Sequence, residues 1–264
     1  MRSSRFAKSG LGIPYALFLL LFVVAPLFVL LYYAFTNGQG QFTVQNLAAF
    51  FTSPNTIGTL AYSFALAVVT TCICVLLAYP IAYILARSNM RHKNVILVAF
   101  VMPMWINFSL RITALKEVLT FLEGNLAMHP FLNAVIGMSY DFLPFMILPI
   151  YTTVSRLDGA LREAAMDLGA NEAQTFLRVT LPLSVPGIMS GISMVFLPAM
   201  TNYVVLDMLY NSTYIMGSLI GSYFSAYNWN GGSMIALILL GIICLFTLLT
   251  DSGDESTSRG GALL

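Results

Sequence analysis

The sequence predicts an all-α, polytopic membrane protein with six transmembrane helices and a short surface helix between the fourth and the fifth. Three observations predict it. Apolar residues are 58% of the 264 and charged residues only 9%, against roughly 25% charged in an ordinary soluble domain. Six apolar runs are each about long enough to cross a bilayer. Between two of them lies one long polar stretch, Asp158 to Pro182, which must sit at a membrane surface and offer a face to water.

The first run, about 13–35, follows Arg2, Arg5 and Lys8 and closes on the interfacial pair Tyr32 and Tyr33. It is longer than the apolar part of a signal peptide and has no small-x-small cleavage site, so it reads as an uncleaved first span. Residues 36–59 carry no charge and contain the turn signals Asn37-Gly38 and Ser53-Pro54-Asn55, as an outer loop would. The second span, 60–86, holds Pro80 and is followed by Arg87, Arg91, His92 and Lys93. A third span, 94–115, leads to an outer loop with Glu117, Glu123 and His129. The fourth, 131–154, is interrupted by Pro144 and Pro149, and the polar stretch 155–182 comes next. The fifth span, 183–209, holds Pro186 and Pro198, and the sixth, 233–250, comes after a charge-free outer loop with Trp229. Residues 1–250 therefore form one transmembrane domain, and 251–264 form a polar tail expected to be disordered.

Charge placement orients the bundle. Of the 12 Lys and Arg, all but Arg111 and Lys116 fall in segments assigned to the cytoplasm when both termini are inside. That bias obeys the positive-inside rule and puts 155–182 in the cytoplasm. Other chemistries are excluded by what is missing. Cys72, Cys74 and Cys244 lie inside apolar runs without C-x-x-C spacing, so they read as buried hydrophobes and no metal site is expected. No G-x-x-x-x-G-K-[ST] stretch occurs, so no ATP phosphate is cradled by a Walker-type loop of this chain. The net charge is only +1, too small to imply a nucleic-acid partner.

Within the polar stretch, local signals spell helix, turn, helix. Asp158 can N-cap a first helix and pair with Arg162, and Gly169 can form its left-handed C-terminal cap. Asn171, with Gln174 three residues on, can cap a second helix that Leu181-Pro182 ends. Leu157, Leu161, Ala164, Ala165 and Leu168 form a narrow apolar stripe that can enter a groove on another protein. A DNA-binding helix-turn-helix is a poor alternative, because the second helix carries one basic residue, Arg178. The run Glu163-Ala164-Ala165, then Gly169, then Leu181-Pro182 resembles the EAA loop of ABC-transporter importer permeases, with Val179 where that pattern usually has isoleucine. The resemblance implies the type I importer permease fold, with 155–182 as a coupling helix docked in a cleft of a separate ATPase. It implies two copies of that ATPase, with ATP and Mg bound there and no cofactor in this chain. It further implies a second, similar permease chain, an extracytoplasmic substrate-binding protein, and residence in the bacterial cytoplasmic (inner) membrane.

Ionisable groups inside spans are functional candidates by default. Asp141 falls about 15 Å of helix into the fourth span, Asp207 near the outer end of the fifth, and Arg111 near the outer end of the third. Asp141 and Asp207, with Trp105, Tyr140 and Tyr203 nearby in sequence, suit a cationic substrate, since carboxylates offset lost hydration and aromatic faces attract cations. Structural roles stay open: Asp207 and Arg111 can snorkel at the interface, and Asp141 can pair with a residue of a partner subunit. The segments Pro103 to Lys116, Leu143 to Tyr151 and Leu197 to Asp207 resemble the PotB-type permeases of spermidine/putrescine importers, which implies a polyamine path in which Asp207, and not Asp141, occupies a matching acidic position. Another small solute of the same family, or an ATP-independent channel or transporter, is the alternative. An intramembrane aspartyl protease needs a glycine beside its second Asp, and Asp207 sits in Val-Val-Leu-Asp-Met.

Overall fold

Helices account for the regular structure of the described residues, apart from one isolated bridge between Thr36 and Phe42. The computed structural model describes residues 12–88, 90–209 and 214–260. Arg2, Arg5 and Lys8, assigned to the cytoplasmic side, and the end of the expected tail, 261–264, lie outside the described residues. The helices are α1 (Ile13–Ala34), α2 (Gln45–Thr52), α3 (Pro54–Arg87), α4 (Lys93–Val101), α5 (Phe108–Glu123), α6 (Pro130–Arg156), α7 (Gly159–Asp167), α8 (Glu172–Thr201), α9 (Tyr203–Leu209), α10 (Met216–Ser225) and α11 (Trp229–Gly260). Five are long and apolar enough to cross a membrane, or six if the bent pair α4–α5 counts as one.

The chain divides into two compact units. One comprises the chain through Gly58 with Ser218–Ile242. There the carbonyls left open at the end of α1 need donors, and two asparagines supply them. Asn46 Nδ2 donates to Ala34 O at 2.9 Å and Thr36 O at 3.0 Å, and Asn230 Nδ2 donates to Tyr33 O at 3.0 Å and Thr36 O at 2.6 Å.

The other unit, Thr59–Gly217 with the chain from Ile243 on, is centred on the crossing of α6 and α8. A lipid-embedded pair gains little from hiding apolar surface, so close approach must supply the attraction. Gly187 and Gly191, one turn apart on α8, permit it. A Cβ at Gly187 would lie 2.5 Å from Thr153 Oγ1 and 2.8 Å from Pro149 O, and one at Gly191 would lie 2.5 Å from Met146 Sδ. Met146, Ile147, Ile150 and Val154 of α6 are fully buried. Gly137 does the same for α9: a Cβ there would lie 2.7 Å from Leu209 Cδ1 and 3.0 Å from Val205 Cγ1.

Several expectations are corrected. The third span, 94–115, is not one helix: α4 passes into a 3-10 turn, Met102–Trp105, and α5 leaves at 99°. Pro103 and the extended Ile106 break the ladder, and Asn107 restarts it by accepting from Ser109 N at 2.9 Å. Pro144 and Pro149 do not interrupt α6, which is continuous over Pro130–Arg156, because unpaired backbone in lipid costs more than a strained turn. The fifth span ends at Thr201, and Asn202 separates it from α9. The loops expected on the outer side contain α2 and α10. Residues Asp251–Gly260, expected to be disordered, continue α11, since each residue added to a formed helix gains a backbone hydrogen bond.

Candidate functional site

The polar stretch folds as its caps dictate. Asp158 accepts from Ala160 N at 3.0 Å and starts α7. Gly169 ends it at φ 85°, a conformation a Cβ makes costly. Ala170 N donates to Ala165 O at 3.1 Å and Gly169 N to Met166 O at 2.9 Å, the paired bonds of a Schellman cap. Asn171 and Gln174 then form a reciprocal capping box, at 2.8 Å and 3.0 Å. Arg162 does not pair with Asp158, whose carboxylate is taken by the cap. It reaches Glu172 across the turn at 3.3 Å.

Leu181-Pro182 does not end the second helix. The chain widens into a π turn, Phe176–Thr180, with Leu181 N bonding Phe176 O, and α8 runs on through Pro182. The wide turn moves the carbonyl that a proline ring would strike. This turn is clamped from α3 by edge-on contacts of Phe176 with Tyr79 and Tyr83, and Tyr79 Oη lies 2.9 Å from Ser184 Oγ. Arg87, the last residue of α3, donates from Nη1 to Leu157 O at 3.5 Å.

The apolar stripe splits. Leu157 and Leu161 line a shallow notch with Val179 and Leu183, whereas Leu168 is 90% exposed. Glu163, Ala164, Gly169 and Pro182 are exposed, and Ala165 and Leu181 are half-buried. Glutamate, small side chains and a protruding leucine thus form an exposed surface at one end of the α6–α8 pair.

The candidate path residues fall into different settings. Tyr203 and Asp207, one turn apart on α9, are both exposed, while Val205, Leu206 and Leu209 bury its other face. Trp105 projects from the 3-10 turn, 78% exposed, and Tyr140 is also exposed. Neither makes a ring contact among the described residues. Asp141 is buried, and Arg111 Nη2 lies 2.6 Å from its Oδ1. The sequence alone puts Arg111 near the outer end of a straight span. The break at Trp105 to Asn107 instead sets it in the first turn of α5, against α6. The only signal available was that an aspartate and an arginine both sat in apolar runs.

Five or six apolar candidate spans among the described residues, one of them a bent pair, define a polytopic helical membrane protein. The family model for the binding-protein-dependent transport system inner membrane component matches residues 78–254, and the chain belongs to that family: it is a permease subunit of an ABC importer and a multi-pass inner-membrane protein. It is 32% identical to the spermidine/putrescine transport system permease protein PotB of Haemophilus influenzae, over 97% of each chain. It is also 32% identical to PotB of Escherichia coli K12, over 72% of this chain and 75% of that one, and 28% identical to the inner membrane ABC transporter permease protein YdcU of the same organism, over 69% and 66%. Among solved structures, a bacterial ABC transporter importing the acidic polysaccharide alginate shares the fold at a TM-score of 0.71 and 15% identity, covering 94% of each chain. A bacterial alginate ABC transporter in complex with an alginate pentasaccharide-bound periplasmic protein matches at 0.75 and 13% identity, over 95% and 94%.

Proposed function

We propose that this permease carries polyamines inward, and that the face of α9 bearing Tyr203 and Asp207 recognises them. The observation that carries the reading is the pairing of an exposed carboxylate with an exposed aromatic ring one turn away, a combination suited to an alkylammonium group. Likeness to PotB over nearly the whole chain supports it. An acidic solute would meet the wrong charge at Asp207.

The motor is a separate ATPase, in two copies, with ATP and Mg bound there. Glu163, Ala164, Ala165 and Gly169 dock in its cleft, and Leu181 and Pro182 tie that surface to α8. A single coupling loop engages one cleft, so a second permease chain completes the pair, and an extracytoplasmic binding protein delivers substrate. Both termini lie in the cytoplasm. Closure of the ATPase pair draws the coupling helices together and opens the path outward, and hydrolysis restores the inward state.

The test is ATP hydrolysis by the complex reconstituted in lipid. Spermidine or putrescine should stimulate it and an acidic oligosaccharide should not. Asp207→Asn should raise the half-saturating polyamine concentration about tenfold to a hundredfold, the equivalent of one charge-assisted hydrogen bond. An unchanged value removes Asp207 from the path.

A further inference from the structure

We propose that Asp141 is a cation-exchange site within the membrane, held by Arg111 in this conformation and transferred to a substrate ammonium group during transport. The inference rests on the polyamine reading above. It starts from how Arg111 is held. Both side chains are nine-tenths or more buried, at 8% and 5% exposure. They meet through one nitrogen and one oxygen, and Nε and Nη1 of Arg111 have no hydrogen-bond partner among the described residues. A guanidinium whose fork is fully used is hard to displace. One held through a single nitrogen, with other donors idle in a dry site, is more weakly anchored.

Arg111 also sits where it can move relative to its partner. Asp141 lies mid-way along α6, the most buried of the candidate spans. Arg111 is in the first turn of α5, directly after the 99° break at Trp105 to Asn107, and such breaks are places where a short segment absorbs a large backbone change. If α5 shifts, Asp141 is left as a buried carboxylate without a counter-charge, which is strongly disfavoured. An alkylammonium group restores the balance. Exchange of one cation for another keeps Asp141 paired before and after the step, with α5 carrying the Arg111 guanidinium out toward water, so substrate binding and movement of α5 become a single event. The helix that carries Tyr203 and Asp207, α9, packs against both α5 and α6 through its opposite, buried face.

Charge variants of the reconstituted complex separate exchange from a purely structural tie. Arg111→Gln with Asp141→Asn removes both charges and leaves two amides able to hydrogen-bond. Exchange predicts that this double variant co-purifies with its partners yet loses spermidine uptake at least tenfold. Uptake within twofold of the unaltered complex overturns it. Arg111→Lys keeps the charge, so it reports even if the double variant does not assemble. Exchange predicts a shift of at least threefold in half-saturating spermidine, and an unshifted value with only a lowered melting temperature overturns it. An unaltered complex indifferent to spermidine overturns the substrate reading and the exchange with it, whereas a responsive complex with a responsive double variant overturns the exchange alone.

Discussion

Gly169 is the residue at which local chemistry and the proposed coupling role coincide. Its φ of 85° is open to glycine and costs other residues about 1–2 kcal/mol, more so a β-branched one. Nothing lies within 4 Å of a Cβ built there, so the constraint is conformational and not one of space. Gly169→Val should therefore leave the chain in the membrane but unravel the Schellman cap and swing Leu168. Uptake should fall at least tenfold with the membrane-fraction level unchanged; normal uptake would detach this turn from coupling. The caps at Asp158, Gly169 and Asn171 were legible in the sequence because each depends on residues within one turn of itself. The Arg162–Glu172 pair was not, because it bridges two helices whose relative direction is set by the turn between them.

At the scale of the element, proline and glycine behave differently in lipid than propensity alone suggests. Pro144, Pro149, Pro186 and Pro198 are all absorbed within continuous helices. Pro103, by contrast, coincides with a true break. Its C-terminal neighbours make the difference: Ile106 is extended and Asn107 is able to cap a new helix. The glycines of α8 are a matter of packing. Gly187→Ala would push a methyl into Thr153 and the Pro149 carbonyl, and overpacking of this kind costs about 1–3 kcal/mol. Gly241→Ala on α11 meets nothing within 4 Å. The first variant should melt several degrees below the parent in detergent while the second melts with it. Equal melting would mean that the α6–α8 crossing has room for an added methyl.

For the whole molecule, the bent pair α4–α5 decides the topology. If it crosses the membrane as one broken span, α6 starts outside and its 27 residues end at the cytoplasmic coupling loop. If it turns back as a re-entrant loop, every later helix reverses and the EAA-type surface faces outward. The placement of Lys and Arg favours the crossing. A phosphatase fused at Gly124 should accordingly be active outside the cell and one fused at Gly169 inactive. The reverse pattern would remove the coupling loop from any ATPase and the transport mechanism with it.

The sequence by itself determined that this chain is helical, membrane-spanning and equipped with a capped polar helix pair of the EAA type, because hydropathy, charge bias and capping are read over a few residues or summed along a run. Only the tertiary structure decided that Arg111 neutralises Asp141, that Gly187 and Gly191 form the contact between α6 and α8, and that Tyr203 and Asp207 share an exposed face. Each depends on which surfaces of helices distant in sequence come together, and in a uniformly apolar chain hydropathy carries no mark of that choice.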